Sequence, residues 1–181
     1  MLRQGFSLVE LLSTLTIMSL LLGVAVPSLE SVIHASKAMN NSSEIQMLVR
    51  SAKSLAVTSK RPVIICPYSD HQPCGSDWNK GLKVLYDTNS DSKGDSQDIV
   101  VTQFLNQQTD WQLISYPRKR IIFNPRGFAQ GTTGSLTYWA DTSPPTTSAW
   151  VVSRVGRIRA GIDTNGNGIV ENASGKDVPC P

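Results

Sequence analysis

The sequence predicts an α+β fold in which one long N-terminal α-helix packs on an antiparallel β-sheet head. Three observations predict it. An almost uninterrupted apolar run, Phe6 to Val26, opens the chain. A helix-period pattern then continues to about residue 60. Beyond Arg61 the period changes to short β-branched and aromatic runs, most of them bounded by Gly, Pro, Asn or Asp.

The apolar run has 21 residues. As a helix it measures about 31 Å at roughly 1.5 Å per residue, close to the bilayer core. A transmembrane half over 6–27 is therefore expected. A cleaved secretory signal fits less well: Arg3 supplies a basic flank, but the run is long and no small-x-small site ends it. One charge, Glu10, interrupts the run where a carboxylate is costly. Pro27 removes a backbone donor and should kink the helix. From 28 to 60 the helix becomes amphipathic. Leu29, Val32, Ile33, Ser36 and Met39 form one stripe; Ile45, Leu48, Val49, Ala52, Leu55 and Ala56 form another.

Residues 61–181 read as a β-rich head. Strands are expected at 62–66, 81–87, 99–105, 111–115, 119–124, 135–140, 149–154 and 157–161, forming a sheet that wraps the helix's apolar face. The segment 87–98 reads as a polar surface loop and 162–181 as an irregular tail.

The net charge of +3 does not by itself point to nucleic acid, but its distribution is uneven. Residues 70–110 carry seven acids and three bases, and 111–160 carry seven bases and one acid. There are three cysteines. Cys66 and Cys74 flank a Pro-, Asp- and His-containing loop that suggests closure on itself; Cys66 with Cys180 is the rival pairing. Their spacing, with His34 and His71, makes no zinc set.

The start GFSLVELL resembles the signal of type IV pilins and type II secretion pseudopilins. The resemblance implies cleavage by a prepilin peptidase between Gly5 and Phe6, with 1–5 as leader, and N-methylation of Phe6. It places Glu10 fifth in the mature chain. There it is expected to pair with the N-terminal amine of a neighbouring pilin subunit, an attraction little screened in hydrocarbon. The implied location is the inner membrane, single-pass with a periplasmic head, then a pilus fibre or its tip. Two further stretches, RPVIICPYSDHQPCGSDWNKGLKVLYD (61–87) and VVSRVGRIR (151–159), are similar to the FimT/FimU and GspH-type minor pilins and pseudopilins. That group contains pilus subunits and components of type II secretion, and both remain open readings here.

In FimT-type members the Gly-Arg-x-Arg motif is associated with DNA binding in natural transformation. The implied DNA contacts here are Arg157 and Arg159, with Arg154 across the turn. Guanidinium groups suit phosphate oxygens, and Arg118, Lys119, Arg120 and Arg126 are candidates to extend the patch. The bland alternative is that such arginines guard a strand edge or form salt bridges. Trp139 or Trp150 would stack on bases if exposed, although a Trp at strand spacing is more often core.

Asp163-x-Asn165-x-Asn167-Gly168 starts like a calcium loop, but Ser174 stands where the bidentate Glu belongs. Asp87-x-Asn89-x-Asp91 is a similar fragment. Asx-rich turns are the simpler reading of both. No catalytic constellation emerges. The chain reads as a substrate of processing that needs no cofactor or metal, not as an enzyme.

Overall fold

The computed structural model describes residues 7–107, 110–129 and 131–180, without the side chains of 24–28. The first element, α1 (Leu8–Ser59), is a single helix of 52 residues. Its backbone remains helical through position 27, so the proline does not divide it. Ser7 is the extended N-cap residue, and Lys60 ends the helix in the left-handed conformation at φ 57°.

Among the described residues eight strands follow: β1 (Val63–Pro67), β2 (Gly81–Tyr86), β3 (Ile99–Leu105), β4 (Gln112–Ser115), β5 (Ile121–Phe123), β6 (Gly134–Ala140), β7 (Thr146–Val152) and β8 (Ile158–Ala160). Each lies within or overlaps an expected run. They form two antiparallel sheets of four strands where the sequence suggested one. The first has the order β3-β2-β1-β5 and the second β4-β6-β7-β8. The chain alternates between them: β4 joins β6, while β5 returns to pair with β1. Short-range periodicity cannot reveal such a crossover, because it shows each strand's faces and not its partners.

One helix stripe unites the two sheets. Ile45, Val49, Ala52 and Ala56 are fully buried, with Leu48 nearly so. They share a cluster with Val63, Ile65, Leu82, Val84 and Phe123 from the first sheet and Leu136, Tyr138, Trp150 and Val152 from the second. The two alanines allow close approach of strands to the helix. Ile45, Leu48 and Val49 supply area at about 1.5–3 kcal/mol per buried side chain. The other expected stripe behaves differently: Leu29, Val32, Ile33 and Met39 are all exposed.

Truncation at the seam should therefore be costly. Ile45→Ala should lower the unfolding free energy by about 2–5 kcal/mol. Met47→Ala, on the exposed side two residues on, should change it by less than about 0.5 kcal/mol. Chemical denaturation of the two detergent-solubilised variants checks the contrast.

Candidate assembly helix and basic surface

Glu10 lies in the first turn of α1, where a negative charge suits the helix dipole, and its side chain is exposed. Gly5 and Phe6 lie outside the described residues. Leu8, Val9, Leu11, Leu12, Leu15, Ile17, Met18, Leu20, Leu21 and Leu22 are exposed around this part of the helix. Among the described residues no helix is long and apolar enough to cross a membrane. Part of the expected span is outside them, and the helical remainder is diluted by Glu10 and by the hydroxyls of Ser13, Thr14, Thr16 and Ser19. Those hydroxyls are not bare, however. Ser13, Thr14, Thr16 and Ser19 donate to the backbone oxygens of Glu10, Leu11, Leu12 and Thr16 at 2.8–2.9 Å. Back-bonding of this kind reduces the cost of placing a hydroxyl in an apolar medium.

Cys66 is bonded to Cys74 with Cα atoms 5.6 Å apart, and Cys180 is free and exposed. The loop so closed wraps Lys83, whose Nζ donates to the Ser69 and Gln72 oxygens and lies 4.8 Å from the Tyr68 ring centroid. Tyr68 in turn donates to Asp70, whose acceptance of that bond raises the phenol's pKa. The acidic loop 87–98 packs against the same disulfide: a side chain at Gly94 would stand 2.0 Å from the Cys74 sulfur.

Arg154, Arg157 and Arg159 are all exposed, and among the described residues no carboxylate lies within ion-pair distance of them. A tight turn places them. Gly156 N donates to Ser153 O at 2.8 Å and Ser153 N to Arg157 O at 3.0 Å. Gly156 has φ 68°, and a Cβ there would meet the Gly127 oxygen at 1.7 Å. The motif's glycine is thus required by a backbone-to-backbone approach. That approach brings in a second turn, in which Asn124 Oδ1 accepts from the amides of Arg126 and Phe128. The turns are joined by Ala129 N donating to Arg154 O at 3.0 Å.

Arg126 therefore joins the corner, as expected. Lys53 joins it unexpectedly, its side chain lying 3.1 Å and 3.5 Å from the Cβ positions of Gly127 and Gly156. It stands about a hundred residues upstream, and only the helix's seating reveals the neighbourhood. Arg118, Lys119 and Arg120 do not join. They precede β5, whereas Arg126 follows it. Arg118 donates to Thr133 O at 3.0 Å, and Arg120 donates to Ser92 O in the acidic loop. Trp150 is buried in the core and unavailable for stacking, while Trp139 is half-buried.

Both calcium-like fragments are self-satisfied turns. Asp163 accepts from the amides of Gly166 and Gly168. Asn165 and Asn167 accept from Asn167 and Ile169, and both donate to Asp177. Asp87 is buried and accepts from the amides of Asp91 and Ser92. Burial raises its pKa, partly offset by the Ser92 amide. Among the described residues no group of side chains is arranged to hold a metal.

Residues 1–26 match the prokaryotic N-terminal methylation motif, which suggests a membrane-anchored pilin with a periplasmic head. Residues 41–156, well over half of the chain, match the family described as type II transport protein GspH. The chain is a minor pilin or pseudopilin of the type IV pilin superfamily and belongs to the GspH family. Membership suggests assembly with other pilin subunits. The crystal structure of the type IV minor pilin FimU from Pseudomonas aeruginosa is similar in fold, with a TM-score of 0.50 and 19% identity over 69% of this chain and 88% of that one. A second crystal form of FimU aligns with a TM-score of 0.49 and 19% identity, over 68% of this chain and 92% of that one. Comparison with curated protein sequences gave no match.

One tail contact has a pH signature. Glu171, itself buried, accepts from Thr164 Oγ1 at 2.7 Å and from Thr164 N at 2.8 Å. These bonds favour the carboxylate and hold its pKa below the usual 4.5. Their contribution is fully present above 4.5 and is lost as pH falls through the lower folded value. The Thr164 amide shift followed by NMR should therefore stay native at pH 4.5 and move only below it. A midpoint at or above 4.5 contradicts this account.

Proposed function

We propose that this chain is a non-enzymatic minor pilin that enters a type IV pilus through α1 and lies at or near its tip. The supporting observation is the division of α1: its lower stripe is consumed by the head, while Leu8–Leu22 and the 29–39 stripe are left for other surfaces. A prepilin peptidase cuts after Gly5 and Phe6 is methylated. The apolar helix holds the subunit in the inner membrane as a single pass. The self-bonded hydroxyls of Ser13, Thr14, Thr16 and Ser19 are compatible with that medium. Glu10 pairs with the new amine of a neighbouring subunit and sets its register. The alternative, a GspH-type pseudopilin of a type II secretion system, uses the same helix chemistry and is equally supported by the family match.

The exposed guanidinium corner is the second functional surface. Arg154, Arg157 and Arg159, with Arg126 and Lys53 beside them, present cations without acidic partners among the described residues. Such a corner suits the phosphates of DNA, without sequence preference.

Two experiments test these readings. Glu10→Ala should sharply reduce incorporation into fibres while leaving the head folded; normal incorporation of the variant overturns the pairing role. In a gel-shift assay with the detergent-solubilised chain, DNA should shift at low salt, and each arginine replaced by Ala should reduce the salt slope by about one. An unshifted DNA, or a shift unchanged when all three arginines are replaced, removes the DNA reading and leaves the assembly reading standing.

A further inference from the structure

The basic corner carries an apolar feature that phosphate binding does not use. Its two turns meet back to back through Gly127 and Gly156, both buried. What the turns expose is mixed: Arg126 and Phe128 on one, and Arg154, Val155 and Arg157 on the other. Phe128 is 38% exposed and Val155 60%. Among the described residues no other Phe, Tyr or Trp is exposed. Phe104 and Phe123 lie in the core, and the tyrosines and tryptophans are buried or half-buried.

Phe128 is also held in place. Its N–H donates to Asn124 Oδ1 at 3.0 Å, and its carbonyl accepts from Asn124 N at 3.0 Å. The next residue, Ala129, donates to Arg154 O at 3.0 Å, which ties this backbone to the second turn. A ring on a fixed backbone has little conformational freedom left to lose on contact. It also has no polar group for water to satisfy, so exposing it is unfavourable until something covers it. Set among cations that have no acidic partner within ion-pair distance among the described residues, it suits a ligand with both phosphates and open aromatic faces.

We propose that the corner takes single-stranded DNA in preference to duplex, with Phe128 stacking on an unpaired base while Arg154, Arg157 and Arg159 hold phosphates beside it. Duplex bases are stacked on one another, and a surface ring reaches their faces only by prising a step apart. Side chains that do so bend the duplex around a wide protein surface, and two short turns are too small for that. Unpaired bases stack on an aromatic ring without that cost, and any base serves because each has a π-face. The arginines alone would give the opposite order, because a duplex has the denser phosphates and releases more counterions per contact. The proposal rests on the DNA reading above, to which it adds the strand state that the site selects.

Fluorescence anisotropy of the detergent-solubilised full chain tests it at low salt, with a labelled single strand and the blunt duplex of the same length. The single strand should bind more tightly. Phe128→Leu, which keeps an apolar side chain, should weaken single-strand binding by about tenfold. It should leave duplex binding unchanged, which also shows that the corner is still folded. Phe128→Trp should keep the preference. Tighter binding of the duplex by the native chain overturns the proposal. So does a Phe128→Leu variant that weakens both forms equally or neither, or a Phe128→Trp variant that loses the preference. In each of these cases the arginine contacts still stand, provided the native chain binds DNA. If it binds neither form, the DNA reading itself fails and the strand preference falls with it.

Discussion

Everything in this chain depends on how α1 is seated. Ile45, Leu48, Val49, Ala52 and Ala56 form the single stripe that both sheets share. Without it, the apolar faces of the two sheets would lose the surface they share. The stripe also fixes what is left over. Because the helix is continuous, rotating residues 45–56 into the head sets the direction in which Leu29, Val32, Ile33 and Met39 point, and they point to solvent. An apolar surface of this extent on a monomer marks an interaction surface.

The same seating builds the basic corner. Lys53 reaches the two glycines because its turn of the helix ends beside the β5–β6 and β7–β8 connections. Those connections meet so closely that neither backbone tolerates a side chain at Gly156. The arginines are consequently carried on a braced turn, not a loose one. By contrast, Arg120 is tied to the acidic loop, which in turn rests on the Cys66–Cys74 disulfide. Two clusters that are neighbours in sequence thus have different partners in space.

Much of this was legible in the sequence, for physical reasons. The 45–56 stripe was readable because helical burial repeats every three to four residues. Every strand was found because β-branched runs bounded by turn residues are a local signal. The pairing of strands into two sheets was not legible, since register partners depend on tertiary packing. The 29–39 stripe was visible as apolar, but periodicity does not say whether a face is covered by its own chain or another. Trp150 is buried, in line with the expectation that a Trp at strand spacing belongs to the core. Of the cysteine alternatives, the short loop closed on itself, and the tail cysteine stayed free. The spacing of Asp and Asn in 163–168 starts like a cation loop, but the Asx-turn reading preferred for it agrees with the structure, in which each oxygen is used by a nearby amide.

The central claim is that one continuous helix is divided between two duties, its 45–56 stripe holding the head and its 29–39 stripe awaiting neighbours. Hydrogen exchange resolved along α1 tests it directly, comparing the detergent-dispersed chain with assembled fibres. The account predicts strong protection at 45–56 in both states, and at 29–39 only in the fibre. Equal protection of 29–39 in both states would contradict it.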